Sequence, residues 1–153
     1  VGLSSNNIIK LYNSFPNFRV IKGEASAVFI KSEIEKYPKD LKVFNGRGGQ
    51  EIVDNFIVGC KGIIPALEGA DKFIKIYKHF KNKDINKANS EYRKILPSIV
   101  FVMQSVNTLV CYGKRICAYR MGMKNVYDRS PSIIPTSYGI KKSKELSKEM
   151  GYF

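Results

Sequence analysis

Three short runs rich in β-branched and aromatic residues, each followed by a segment with helical spacing, constrain this chain more than anything else in it. The runs are Phe18-Arg19-Val20-Ile21-Lys22, Leu41-Lys42-Val43-Phe44-Asn45 and Gly62-Ile63-Ile64-Pro65. Each is too short for a helix, and each is bounded by turn formers or a capping residue, so each reads as a strand. Before the first, Ser4-Ser5-Asn6 can cap a helix carrying Ile8, Ile9, Leu11, Tyr12 and Phe15, which Pro16-Asn17 stops. Ser26 can cap a second helix with Ala27, Ile30, Ile34 and Tyr37 at helical spacing, ended by Pro38. A third shows Ile52, Val53, Phe56, Ile57 and Cys60 on one face, with Gly59 as its left-handed cap. Helix alternating with strand implies parallel strands joined by right-handed crossovers. Three such strands fit a small open sheet or part of a barrel, and standing free they would expose both edges.

From Leu67 onward the pattern is helical only. Leu67, Ala70, Phe73, Ile74, Tyr77 and Phe80 form one apolar stripe, with Lys72, Lys75 and Lys78 off it. Asp84 or Asn86 can cap the next helix, which carries Ala88, Tyr92, Ile95 and Leu96. Pro97 either kinks it or begins a more apolar helix running to about Tyr112. A basic, partly apolar helix follows through Lys114, Arg115, Ile116 and Tyr119, then a proline-bearing loop from Arg129 to Pro135. A last polar helix ends near Met150-Gly151.

Composition excludes several classes. Of 153 residues, 44% are hydrophobic and 25% charged, a globular balance and not a disordered one. The most apolar stretch, Ser98 to Gly113, contains Gln104, Ser105, Asn107 and Thr108, too short and too polar to span a bilayer. No basic segment followed by a long apolar run opens the chain, so no signal peptide is expected. No Met stands at position 1, as in a cut or internal piece. Lys and Arg number 26 against 13 Asp and Glu, a net charge of +13. That excess suits an anionic partner, but it is dispersed along the chain, as on solvated helix faces. Cys60, Cys111 and Cys117, without CxxC spacing and with His79 the single histidine, make no zinc pattern. They read as reduced thiols of a cytoplasmic protein.

Few residues have the position for chemistry. Lys22 ends its strand, and the carboxyl ends of strands carry the reactive groups in α/β folds. In partly apolar surroundings a lysine there can lose its proton and attack a ketone. Gly46-Arg47-Gly48-Gly49 follows the second strand and precedes a helix. Such a turn either cradles a carboxylate or phosphate, helped by Arg47, or simply reverses the chain. It matches neither GxxxxGK[ST] nor GxGxxG, since Ile52 stands at the last glycine position. His79 reads as a surface residue, and Tyr12-Asn13 as structural.

In that order and spacing the chain resembles the carboxyl-terminal half of the dihydrodipicolinate synthase / N-acetylneuraminate lyase family, from about Ile8 to Phe153. Val20-Ile21-Lys22-Gly23-Glu24 is similar to the strand bearing the family's lysine. Val43-Phe44-Asn45-Gly46 is similar to strand seven, and Gly59 to Pro65 to the approach to strand eight. The tail from Gln104 to Gly122 and the Pro131–Pro135 loop are similar as well. The resemblance implies an α/β fold: strands six to eight of a (β/α)8 barrel over residues 1–82, then a helical extension over 83–153. It implies a class I lyase in which Lys22 forms a Schiff base with pyruvate or a related 2-keto acid. Gly46, Arg47 and Ile64 would bind the substrate, without metal or organic cofactor. Two departures, Gly23 before Glu24 and the Gly-Arg-Gly-Gly turn, point toward members acting on 2-keto-3-deoxy sugar acids. The family's Gly-Thr-Thr segment and strand-five tyrosine have no counterpart here, which implies inactivity alone. Partners are then a second copy or the missing amino-terminal half, and neither membrane nor nucleic acid is expected. On this reading Val20, Lys22, Val43 and Asn45 lie on the inner face of the sheet. The alternative from another class is a non-catalytic basic binding module.

Overall fold

The computed structural model describes residues 2–153 and contains three strands and eight helices among them. Contacts divide the chain into two compact units: one runs through Arg47 and takes in Glu51–Ile64, the other comprises Gly48–Gln50 and Pro65–Phe153.

The first unit is an α/β layer. Helix α1 (Ser5–Ser14) starts where the Ser4 hydroxyl accepts from the Asn7 N–H. Strand β1 (Val20–Gly23) follows, then α2 (Ala27–Ile34), where Ser26 accepts from the Phe29 N–H. Helix α2 ends about a turn before Pro38. Strand β2 (Lys42–Asn45), α3 (Ile52–Ile57) and β3 (Gly62–Ile63) complete the unit. The strands are parallel in the order β1-β2-β3, with Val20 opposite Lys42 and Lys22 opposite Phe44. Strand β1 begins at Val20, two residues later than the Phe18 start expected, which leaves its alternation unchanged. Ile21 packs with Ile30, Val43, Cys60, Ile34 and Tyr37 on the helix side.

This corrects the inner-face assignment. Val43 and Asn45 are buried on the helix side, while Val20, Lys22 and Phe44 share the opposite face. The period of two puts Lys22 opposite Phe44, so Val43 and Asn45 cannot be on Lys22's face. In α3 the stripe is also narrower than expected: Ile52, Val53 and Phe56 are buried, but Ile57 is exposed.

The second unit is helical. A single 3₁₀ turn (Leu67–Gly69) leads into α4 (Ala70–Lys81), which lies against α5 (Ile85–Val102), capped by Asp84 on the Lys87 N–H. The expected α4 stripe is out of phase. Phe73 and Ile76 are buried, whereas Leu67 and Ile74 are 70% and 55% exposed. The 3₁₀ turn advances three residues per turn, not 3.6, so Leu67 cannot be aligned with the α-helical face that follows. Helix α5 runs through Pro97, and the break falls later, at Met103–Ser105. There the chain bends by 108° into α6 (Val106–Thr108), a π-helical turn (Leu109–Gly113) and α7 (Lys114–Arg120). After the Arg129–Pro135 loop, α8 (Ser137–Met150) packs on α7. No single helix is long and apolar enough to cross a membrane.

The fixed point of this unit is Arg120, wholly buried. Its Nε donates to the Gly151 carbonyl at 2.6 Å and its two terminal nitrogens to the Asp71 carboxylate at 2.8 and 2.9 Å. It also donates to the Glu68 carbonyl and stacks 4.0 Å from the centre of the Phe153 ring. One guanidinium thus ties α7 to the start of α4 and to the chain's last residues.

Candidate functional site

The carboxyl end of β1 and the turn after β2 converge on Lys22. Its side chain leaves the sheet on the face away from the helices, and its Nζ lies 3.0 Å from the Glu24 carboxylate. The side chain is 47% exposed, so within this chain it is not enclosed in the apolar surroundings expected for it. Along β1 it lines a groove of about 880 Å³ with Val20, Glu24, Phe29 and Tyr37. Burial and the Glu33 carboxylate push the Tyr37 hydroxyl up to about 12, which keeps it a donor to that acid.

Gly46 is the lysine's immediate neighbour. A Cβ on Gly46 would fall 2.0 Å from Lys22 Cε and 3.0 Å from Nζ. The missing side chain is therefore the space the lysine occupies. The backbone here is pinned: the Gly46 N–H donates to the Gly23 carbonyl at 2.7 Å, and the Ile64 N–H to the Asn45 carbonyl at 2.8 Å. Ile64, just past β3, is 46% exposed. Beside it the Phe44 ring covers Gly62, where a Cβ would come within 2.3 Å of the ring.

Beneath Gly46 sits a polar cluster that the sequence reading did not single out. Asn45, buried under the sheet, donates through Nδ2 to the Ala25 carbonyl at 2.9 Å and to Asn55 Oδ1 at 2.7 Å. Its Oδ1 accepts from the Arg47 N–H at 3.0 Å. These bonds join the loop after β1, the turn after β2 and α3. Asparagine is depleted in strands, and that is the signal that marks this position.

The rest of the turn is a chain reversal. Gly48 and Gly49 have φ of +60° and +92°, and added side chains would meet Met103 and the Phe73 ring. Arg47 is paired with Glu51 at 2.7 Å. Gly23 also has a packing reason, since a Cβ there would come 2.6 Å from Ile30 Cδ1. His79 is half-buried in the last turn of α4, and Tyr12 donates its hydroxyl to Asp40 under the Arg19 guanidinium, a structural arrangement. The three cysteines are free and buried, and burial pushes the Cys60 thiol up to about 11.

No family model matches the chain, and no curated protein matches it. Solved structures do. A putative dihydrodipicolinate synthetase from Pseudomonas aeruginosa matches with a TM-score of 0.82 at 17% identity, over 97% of this chain and 51% of that one. N-acetylneuraminate lyase from Fusobacterium nucleatum matches with a TM-score of 0.80 at 20% identity, over 99% of this chain and 51% of that one. The sialic acid aldolase of Ruminococcus gnavus gives a TM-score of 0.80 at 17% identity, over 98% and 50%. The chain therefore has the fold of about half of each of these enzymes, a three-stranded parallel α/β portion with a helical tail, and spans about half their length.

Proposed function

We propose that this chain supplies the imine-forming half of a class I lyase of the dihydrodipicolinate synthase / N-acetylneuraminate lyase type, with Lys22 as nucleophile and pyruvate or a related 2-keto acid as substrate. The observation that carries this is the placement of Lys22: a strand's carboxyl end, the face away from the helices, and a glycine that leaves its side chain room. For the reaction, Lys22 must leave Glu24 and lose a proton. Its Nζ then attacks the ketone carbon, and water departs to leave a protonated imine. Loss of a proton from the neighbouring carbon gives the enamine, whose carbon forms a bond to an aldehyde; the reverse sequence cleaves it. The imine nitrogen takes up the electrons, so the chemistry calls for no metal or organic cofactor.

Gly46 and Ile64 border the substrate in this reading, and Arg47 reaches a distal acid or hydroxyl only by leaving Glu51. Gly23 has a packing reason against Ile30, and Gly48 and Gly49 against Met103 and Phe73; a dehydratase or aldolase acting on 2-keto-3-deoxy sugar acids is the alternative within the same chemistry. Carboxylate binding and proton relay come from polypeptide outside residues 1–153. Three buried free thiols suit a cytoplasmic, reducing setting. Pyruvate with borohydride is the test. Hydride reduces the imine to a stable secondary amine, which mass mapping should find on Lys22 and lose in Lys22→Ala. An adduct spread over other lysines refutes the assignment. Affinity for an anionic polymer that falls steeply with salt would favour a basic binding module instead.

A further inference from the structure

The helical unit contains a concave region of its own. The chain after β3, the π-helical turn, α7 and the segment after it border an open groove of about 650 Å³. Its walls are apolar, among them Leu109, Val110, Cys117, Ala118, Met123 and Val126. Volume and lining are those of a small-molecule site: a few hundred cubic ångströms, mostly apolar, with few polar groups.

One of those polar groups is Glu68, only 5% exposed. Among the described residues no cation forms an ion pair with its carboxylate. Arg120 takes Glu68's backbone carbonyl and gives its charge to Asp71. Lys114, the groove's one basic residue, is held by Asp128 at 2.9 Å and by the Tyr127 carbonyl at 2.6 Å. Burial pushes the Glu68 carboxyl above its ordinary range, opposed by its own backbone N–H and by Arg120. Gly113 makes room for the acid: a Cβ there would lie 3.3 Å from Glu68 Oε2 and 3.1 Å from Leu109 Cδ1. The π-helical turn that ends at Gly113 is itself a departure often found at binding sites.

A carboxylate buried beside an apolar groove, offset by its own backbone N–H and by an Arg120 charge it shares with Asp71, is still costly, and a ligand bringing a cationic donor on an apolar body lowers that cost while covering the walls. We infer that this groove binds a small apolar amine, its ammonium on Glu68 and its hydrocarbon part between α7 and the segment around Met123.

The test is an NMR titration of the ¹⁵N-labelled full chain with hexylamine, hexanol and hexanoate, which share one apolar body. Hexylamine should bind at millimolar concentration or better, about tenfold more tightly than hexanol, as one charge-assisted hydrogen bond gives, and hexanoate more weakly still. Shifts should concentrate at Glu68, Gly113 and Cys117. Glu68→Gln should abolish the preference for the amine while hexanol still binds. Val110→Trp, at an exposed rim position, should weaken all three and keeps the test decisive if Glu68→Gln fails to fold. Equal affinity for amine and alcohol, shifts outside the groove, or no binding overturns the assignment. So does a dimer in sedimentation whose interface closes the groove and excludes hexylamine.

Discussion

Gly46→Ala isolates the geometry of the proposed site from the stability of the fold. The added Cβ would sit 2.0 Å from Lys22 Cε, where ordinary contact begins at 3.4 Å, so the lysine must retreat by roughly 1.4 Å or change rotamer. The backbone need not move, because Gly46 has no positive φ and its N–H bond to Gly23 is compatible with alanine. The displaced side chain is half exposed and its Glu24 partner more so, so losing that ion pair costs stability no more than about 1 kcal/mol. Reduced chain entropy in the unfolded state offsets about 0.4–1 kcal/mol of that. Reactivity should suffer far more, since a 1 Å misplacement can cost about a hundredfold, or about 2.7 kcal/mol in barrier. The assay compares initial rates of borohydride-trapped pyruvate adduct on Lys22 with thermal midpoints of the same two proteins. We expect labelling to fall about a hundredfold with the midpoint within a few degrees. Unchanged labelling in a folded variant would refute the reasoning about Lys22 and Gly46 together.

Arg120→Met keeps the volume but removes every hydrogen bond to Asp71, Glu68 and Gly151. Urea unfolding should show a loss of about 3 kcal/mol, the low end for a broken buried pair because Asp71 is partly hydrated, and a loss below about 1 kcal/mol would contradict its role as anchor. Asn45→Ala withdraws the donor from the Ala25 carbonyl and Asn55 and the acceptor from the Arg47 N–H. It should cost about 2–3 kcal/mol and raise amide exchange at Arg47, whereas Asn55→Ala removes the acceptor of the same bond from the other side; independent, additive losses would argue against coupling. Arg115, and then Lys114, hold the Asp128 carboxyl well below its usual range, so the pair contributes stability above the unfolded carboxylate's value and loses it as pH falls through the lower folded value. The gap in urea midpoint between the native chain and Asp128→Asn should be constant above about pH 5 and close on acidification, and a gap that persists in strong acid would contradict this.

The alternation of helix and strand and the caps at Ser4, Ser26 and Asp84 were legible in the residues, because each depends on local chemistry or on a period within one segment, and the alternation itself implied that the strands run parallel. The place of Lys22 at a strand's end was legible for the same reason. What a side chain meets was not. The face of Val43 and Asn45 depends on where β1 and β2 begin and pair, a matter of one residue that propensity does not resolve, and a slip of one residue turns every side chain over. The place of Leu67 off the buried face of α4 depends on the 3₁₀ turn between them, a local geometry without a composition signature. Gly46 read as a residue that a ligand approaches, and only the fold shows the Lys22 side chain against it. Arg120 and Asp71 lie forty-nine positions apart, and Glu68 meets Gly113 only in the fold. Burial, partner and groove are properties of segments brought together, so tertiary structure alone decides them.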